Sequence, residues 1–338
     1  MKTSELDFIL PQELIAQHPA HPADQARLMI VNRKDRTLSE DTFFNLDRYL
    51  QQGDLVVFNN SKVLPARLIG EKQTGGKVEL LFLKQLTPDH WETLVHGGKE
   101  LIGKTITLSK KLTALVEEQT GDTFRVHFNL SSEKLLKEIL KIGKIPTPPY
   151  IKEVVNNKDY QTIYADKLGS AAAPTAGLHF TKRLMKKLHN KGIESAFVTL
   201  HVGLGTFQPI KTEVVEDHPI HSEYFEIDLA TIKQINNAKK EGRRVIAVGT
   251  TSCRVLESIY KQIDTPSTAI AQETSIFIFP GYSFKIIDGL ITNFHTPHSS
   301  LLALVMALAG EDLIKNAYKK AVQEDWKFFS LGDGMIIL

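Results

Sequence analysis

Arg244-Val-Ile-Ala-Val-Gly-Thr-Thr-Ser-Cys-Arg-Val-Leu-Glu257 reads as a strand, a glycine, three hydroxyl residues and a helix. A short, continuous apolar run bounded by glycine suits a strand covered on both faces, as in parallel sheets. A helix that opens directly after such a strand aims backbone N–H groups and hydroxyls beyond the strand's carboxyl end, where a carboxylate or phosphate can be held. Ordinary capping by Thr250 to Ser252 would read the same way.

Working outward, the same alternation fills the second half of the chain. Helices are expected over His179–Lys191, Ala230–Glu241, Ser252–Gln262, Ser300–Ala309 and Glu311–Glu324. Strands are expected over Ser195–His201, Tyr224–Ile227, Arg244–Val248, Ser275–Phe279 and Gly289–Asn293. Near the start, Gln12 to Gln17 reads as a short helix, Arg27–Asn32 as a strand, and Asp54-Leu-Val-Val-Phe58 as a strand running into the polar turn Asn59-Asn60-Ser61-Lys62. Between these parts the pattern changes. Short alternating strands at Arg67–Lys72, Lys77–Leu83, Trp91–His96, Thr105–Ser109, Thr113–Glu118 and Thr123–Phe128 follow one another across glycine turns, the signature of a small antiparallel barrel or sandwich. A helix over Ser132–Ile142 closes that region, and Pro146-Thr-Pro-Pro149 is an extended linker. The expected architecture is a layered α/β main domain, residues 1–62 plus 150–338, carrying an inserted antiparallel β-barrel domain, residues 63–149.

Composition bounds the rest. At 338 residues the chain is long enough for two domains, and 42% hydrophobic with 24% charged residues excludes disorder as its main state. The apolar run Leu301–Ala309 is about half the ~20 residues a bilayer span needs, so it reads as a buried helix. The first residues lack a signal-peptide pattern, and the chain is expected in the cytoplasm. The lone Cys253 excludes an internal disulfide, Cys-based zinc sites and CxxC redox chemistry. A net charge of +2 neither demands nor forbids nucleic acid.

Several stretches could carry chemistry. Small residues through Ala171–Gly177 let backbone approach a ligand, and the basic helix after His179 presents Lys182, Arg183, Lys186, Lys187 and Lys191 to phosphate or to solvent. Thr199-Leu-His201-Val-Gly-Leu-Gly-Thr206 delivers a histidine to a glycine turn but lacks the third glycine of a dinucleotide fingerprint. In His218-Pro-Ile-His221-Ser-Glu223, Pro219 breaks helical ligand spacing and no HExxH occurs anywhere, so no metal site is expected; a hydrogen-bonding or acid/base loop is. Arg254 and Glu257 stand at i,i+3 and can pair. Thr292-Asn-Phe-His295 is again strand, polar turn and histidine, Phe328 and Phe329 read as core, and Asp333 sits between glycines as a turn residue or ligand contact. Histidines or hydroxyls thus follow four apolar strands at the edge where α/β sheets collect ligands, which points to an enzyme.

At these residues the sequence resembles the S-adenosylmethionine:tRNA ribosyltransferase-isomerases of queuosine biosynthesis, the QueA family. The resemblance runs the length of the chain: Asp7-Phe-Ile-Leu-Pro11, Val57-Phe-Asn-Asn-Ser-Lys-Val-Leu-Pro-Ala-Arg67, Gly75-Gly-Lys-Val-Glu79, Tyr160-Gln-Thr-Ile-Tyr-Ala165, Ala172-Ala-Pro-Thr-Ala-Gly-Leu-His-Phe-Thr181, Thr199-Leu-His-Val-Gly203, Gly205-Thr-Phe-Gln-Pro209, Gly249-Thr-Thr-Ser252, Thr292-Asn-Phe-His295, Phe328-Phe-Ser330 and Gly332-Asp333. The chain departs from the family in having Asn60-Ser61 for Asp-Thr, Ile220 for Met, Lys327 for Arg and Gly334 for Ala.

The resemblance implies an α/β domain with an inserted barrel, and a reaction: the ribosyl moiety of S-adenosylmethionine is transferred and isomerised onto 7-aminomethyl-7-deazaguanine at the tRNA wobble position, giving epoxyqueuosine and releasing adenine and methionine. S-adenosylmethionine is then a consumed co-substrate, with no prosthetic group and no metal, and a monomer is expected. The sulfonium acidifies the adjacent C5′ protons, so a weak base suffices; His201, His179 and His221 are the expected proton-transfer residues. Expected substrate contacts are Gly177, Gly203, Gly205, Thr206, Gly249, Thr250, Thr251, Ser252, Asn293, His295 and Asp333, with the Gly249–Ser252 helix start for the methionine carboxylate. Expected tRNA contacts are Lys182, Arg183, Lys186, Lys187, Arg243 and Arg244. Two other classes fit less well: an S-adenosylmethionine-dependent RNA methyltransferase lacks its early glycine-rich turn here, and a non-catalytic RNA-binding protein would not need the His, Thr and Gly cluster.

Overall fold

Val56, Val57 and Phe58 have no polar side chain to offer water, and the strand that contains them lies in the interior of a nine-stranded sheet. In the computed structural model, which describes residues 1–97, 100–146, 150–151, 159–203, 209–264 and 267–338, the chain divides into two units. The larger holds Met1–Lys62, Pro149–Lys167 and Ala173–Leu338; the smaller holds Val63–Pro148 and Leu168–Ala172.

In chain order the elements are β1 (Arg27–Asn32), β2 (Thr37–Thr42), β3 (Leu55–Asn59), β4 (Ser61–Val63), β5 (Arg67–Lys72), β6 (Lys77–Gln85), β7 (His90–His96), β8 (Thr105–Thr107), β9 (Thr113–Thr120), β10 (Thr123–Phe128), α1 (Ser132–Ile142), β11 (Lys167–Ser170), α2 (Lys182–Asn190), β12 (Glu194–Leu200), β13 (Glu223–Ile227), α3 (Leu229–Lys240), β14 (Val245–Val248), α4 (Gly249–Ser258), β15 (Ile270–Thr274), β16 (Gly289–Asn293), α5 (Ser300–Ala309), α6 (Glu311–Gln323) and β17 (Gly334–Ile337). The large sheet has the order β15-β13-β12-β3-β14-β16-β17-β1-β2. Its four central strands, β12, β3, β14 and β16, run parallel, so their carboxyl ends share one edge. The smaller unit is a closed six-stranded barrel, β10-β7-β6-β5-β8-β9, antiparallel throughout. The fold class is therefore α/β with an antiparallel barrel, as the alternation of patterns predicts.

One face of the large sheet packs Val56, Phe58, Ile246, Val248 and Ile291 against Phe43, Phe180, Leu184 and Leu188. Each such fully buried side chain contributes about 1.5–3 kcal/mol relative to exposure.

Three expectations fail locally. Gln12–Leu14 make only one 3-10 turn, because Ile15 bridges to Phe328 and the Ala16 N–H donates to the Phe328 carbonyl, which takes the backbone out of helical pairing. The strand expected at Ser275–Phe279 lies at Ile270–Thr274 instead, paired with β13. The Arg254 guanidinium takes the Thr274 and Ile276 carbonyls, and the chain leaves the ladder there. Finally, Leu168–Ala172 clusters with the barrel unit, where the Leu64 N–H donates to the Ser170 carbonyl. Most of the proline linker, residues 147–149, lies outside the described residues.

Candidate active site

The carboxyl ends of the four parallel strands bring their following residues to one edge. β3 ends at Asn59, which is fully buried; its amide donates to the Leu200 carbonyl at 3.0 Å and to Thr251 Oγ1 at 3.2 Å, while its Oδ1 accepts the Ser61 and Leu200 N–H groups. One side chain thus fixes the ends of β3 and β12 and the first turn of α4. β12 is followed by His201, β14 by Gly249, and β16 ends at Asn293 two residues before His295.

A cleft of about 240 Å³ opens at this edge, entirely within the larger unit. Its floor is Gly249, Thr250 and Thr251 from α4 with Thr292, Asn293 and His295 from the end of β16. Its walls are the small-residue run Ala173–Ala176, Val202 and Pro209, and an aromatic pair, Tyr150 and Phe329, whose ring centroids are 3.7 Å apart. The Tyr150 hydroxyl is hydrogen-bonded to Ser330 Oγ. Phe329 holds φ of 73°, a left-handed backbone that non-glycine residues rarely adopt, and it lines the cleft where the sequence suggests core; Phe328 is the core residue.

The start of α4 has the features an anion needs. Gly249 adopts φ of +83°, the left-handed region glycine tolerates, and among the described residues no side chain caps the helix, as in α1 and α6, whereas α2, α3 and α5 are capped by Thr181, Asp228 and Ser299. Among the described residues the first N–H groups of α4 therefore have no side-chain cap at the cleft floor, and the helix dipole favours negative charge there. Ser252 lies one step deeper, fully buried, its Oγ without a hydrogen-bond partner among the described residues.

The expected site residues separate into groups. Gly249, Thr250, Thr251, Asn293 and His295 line the cleft. His295 brings no charge to it: burial pushes its imidazole down to about 3, its Nε2 meets Thr292 Oγ1 at 3.1 Å, and its backbone N–H donates to the Tyr318 hydroxyl. His201 is half-buried, its Nδ1 has no partner among the described residues, and burial lowers its imidazole below the ordinary value, so it is neutral at pH 7. His221 is exposed and lines a smaller neighbouring recess with Glu223, Thr250 and Arg254. His179 is not at the cleft. It is 5% exposed, stacks on Phe43 at 4.6 Å, is pushed down to about 4 by burial, and meets the Asn293 amide at 3.1 Å, so it stands behind a cleft residue.

Gly177 also sits behind the wall: a Cβ there would come within 2.0 Å of Tyr164 Oη, so its role is close packing. The Gly203 N–H donates to Glu223 Oε1 at 2.9 Å. Gly205 and Thr206 lie outside the described residues. Asp333 does not line the cleft. Its carboxylate accepts the Arg27 and Lys327 N–H groups at 2.9 and 2.8 Å, closing a turn, and burial raises its pKa. Among the basic residues, Arg183 pairs with Asp24, Lys187 with Asp47, Arg243 with Glu194 and Glu241, and Arg244 with Asp54; Lys182 and Lys186 are exposed on α2. Arg254 does not pair with Glu257. It pairs with Glu223, while Glu257 accepts the N–H groups of Lys285, Ile286 and Ile287.

Against this geometry, the sequence profile of the family described as queuosine biosynthesis protein matches residues 3–337. The chain belongs to that family. Among its relatives there, the S-adenosylmethionine:tRNA ribosyltransferase-isomerase of Halothermothrix orenii is 47% identical over 345 residues, covering 100% of both chains. The crystal structure of the S-adenosylmethionine tRNA ribosyltransferase of Thermotoga maritima is 34% identical, covers 99% of this chain and 100% of that one, and superposes with a TM-score of 0.58.

Proposed function

We propose that this chain is an S-adenosylmethionine:tRNA ribosyltransferase-isomerase of queuosine biosynthesis. It transfers and isomerises the ribosyl moiety of S-adenosylmethionine onto 7-aminomethyl-7-deazaguanine at the tRNA wobble position and releases adenine and methionine. The observation that carries this reading is the full-length identity of 47% to an enzyme of that name.

The cleft chemistry supports it. The uncapped start of α4 suits the methionine carboxylate, and the Tyr150–Phe329 wall offers a flat apolar face to adenine. The sulfonium supplies the acidity of the C5′ hydrogens, so the protein needs only a neutral weak base. Of the three histidines, His201 suits this role best: it is neutral, only half-buried, and directly precedes the cleft residue Val202. In this reading residues 1–62 and 150–338, without the Leu168–Ala172 segment, form the catalytic domain, and 63–149 with that segment form the inserted domain. The enzyme works as a cytoplasmic monomer with S-adenosylmethionine consumed and no prosthetic group. No helix among the described residues is long and apolar enough to cross a membrane.

The test is incubation with S-adenosylmethionine and tRNA carrying 7-aminomethyl-7-deazaguanine, with mass spectrometry of small molecules and digested nucleosides. Adenine, methionine and an epoxyqueuosine nucleoside should appear together. S-adenosylhomocysteine in their place would make the chain a methyltransferase, and tRNA binding without turnover would make it a binding protein.

A further inference from the structure

The barrel unit carries a second cluster of ionisable groups that the ribosyl-transfer reading leaves unused. His90 of β7 and His127 of β10 are directly opposed in the antiparallel register, and directly opposed side chains share one face of the sheet. Val126 and Phe128 fill the barrel interior, so His127 between them faces out. The two imidazoles stack with centroids 4.5 Å apart. Asp89, the residue before β7, reaches both: its Oδ1 lies 2.7 Å from His90 Nδ1 and its Oδ2 lies 3.6 Å from His127 Nε2.

One ligand atom from each of Asp89, His90 and His127 falls within 4.8 Å of the other two. Ligands about 2.0–2.2 Å from a tetrahedral Zn²⁺ stand roughly 3.3–3.5 Å apart, so the Asp89–His90 contact, which Thr87 Oγ1 shares at 2.7 and 2.9 Å, must open by about half an ångström while the wider spacings close by an ångström or so. A fourth group sits where a metal-bound imidazole needs support. Glu117 Oε1 is 3.5 Å from His90 Nε2, on the ring's far side from Asp89, and Glu117 is itself held by Arg125 at 3.3 Å. Ala114 and Val116 of β9 are buried in the barrel, so Glu117 after them lies on the same outer face, beside a register shift between Arg125 and Val126. A carboxylate behind a histidine fixes its tautomer and raises its basicity as a ligand.

We propose that Asp89, His90 and His127 form a binding site for a divalent transition metal of the Zn²⁺ class on the outer face of the barrel, with Glu117 orienting His90 from behind. Two imidazoles and one carboxylate are a borderline donor set, which suits Zn²⁺, Co²⁺ or Ni²⁺ rather than Mg²⁺ or Ca²⁺, and a fourth position stays open to water. Linear spacing hides the site. Asp89-His90 and His127 belong to different strands and meet only through the register, so no short motif announces them.

The experiment is isothermal titration of chelator-stripped, full-length protein with Zn²⁺, repeated with Co²⁺ by visible absorption. One saturable Zn²⁺ per chain is expected, with tetrahedral-type Co²⁺ bands. His90→Gln and His127→Gln should each abolish binding, and Glu117→Gln should weaken it about 10–100-fold. These are outward-facing positions, and unchanged thermal unfolding in the metal-free variants establishes that the fold is intact. Absence of saturable Zn²⁺ binding by the parent protein overturns the proposal. So does binding that persists in the His90→Gln/His127→Gln double variant, because the metal would then sit elsewhere.

Discussion

The Gly203 amide and the Glu223 carboxylate are joined at 2.9 Å, two residues past His201. The other oxygen of Glu223 pairs with Arg254 on α4, and both partners are buried. The pair therefore ties the backbone after β12 to the helix whose first turn forms the cleft floor. Removing one member of a buried pair strands the other, at about 3–5 kcal/mol. Glu223→Gln should lose stability on that scale in urea denaturation, and KM for S-adenosylmethionine should rise in whatever protein remains folded. A loss below about 1 kcal/mol would mean that the pair does not hold these elements together.

His201 and His179 should separate in kinetics. If His201 moves the proton, His201→Gln lowers single-turnover adenine release by about 10²–10⁴-fold with little change in unfolding temperature. His179→Gln should do the reverse, lowering stability through poorer packing on Phe43 while retaining most of the chemistry. Equal rates for His201→Gln and the parent would remove His201 from the mechanism. Because burial lowers the His201 pKa and the neutral form is the base, the rate should be flat through neutrality and fall only on acidification below about 6.5.

Acid should also unfold this protein through its buried histidines. His179 and His295 titrate at about 4 and about 3 in the fold, against 6.5 when exposed. The unfolded chain takes up the protons first, so their stabilisation is complete above pH 6.5 and is lost as pH falls toward 4 and then 3. At about 1.4 kcal/mol per pKa unit, each contributes roughly 3–5 kcal/mol over that window. Asp333, raised by burial, works in the opposite sense. Unfolding free energies at pH 7 and pH 5 should differ accordingly, and His295→Asn should flatten the slope. A pH-independent midpoint across that range would mean these rings are already charged or solvated.

Much of this was legible in the linear sequence, for identifiable reasons. β3 and β14 are unbroken apolar runs, so their burial on both faces needs no partner to be known, and the groups after them must gather at one edge once the strands run parallel. The partners of Glu223 were not legible. Spacing alone offers Arg254 to Glu257 at i,i+3, but α4 is buried on nearly every side, and Glu257 is taken by the amides of Lys285–Ile287. Phe329 and Tyr150 escaped for a related reason: a left-handed residue that swings one of two adjacent phenylalanines out of the core has no periodic signature. Asp333 between glycines reads as a turn residue or a ligand contact, and only the fold brings the two backbone N–H groups that hold it in a turn.

Gly177 and Tyr164 provide a packing test. Tyr164 Oη is buried without a hydrogen-bond partner among the described residues and occupies the space a Gly177 Cβ would need. Gly177→Ala should destabilise by about 1–3 kcal/mol through overpacking. Tyr164→Phe removes a hydroxyl that gains nothing from burial, so alone it should be neutral or stabilising. The double variant should recover part of the loss, not all, because Thr162 Cγ2 also stands 2.9 Å from the new methyl. Strict additivity of the two changes would show that the hydroxyl is not the obstacle.

The basic residues divide by whether their charge is already neutralised within the fold. Arg243 and Arg244 bind Glu194, Glu241 and Asp54 and the carbonyls of Gly53 and Tyr49, so they staple α3 and β14 to the chain before β3. Lys182 and Lys186 project from one turn of α2 with no ion pair among the described residues, which leaves their charge available to phosphate. Each lysine–phosphate pairing removed should reduce the slope of log affinity against log salt by about 0.7–0.9. Lys182→Gln/Lys186→Gln should therefore lower the slope by somewhat less than about 2 with unfolding temperature unchanged, since neither side chain packs on the core. Arg243→Gln/Arg244→Gln should lower the unfolding temperature and leave the slope close to the parent's, because those guanidinium groups face carboxylates. A salt slope that falls in the arginine variant and not in the lysine variant would reverse this assignment and place the tRNA backbone across the β14 end of the sheet instead of α2.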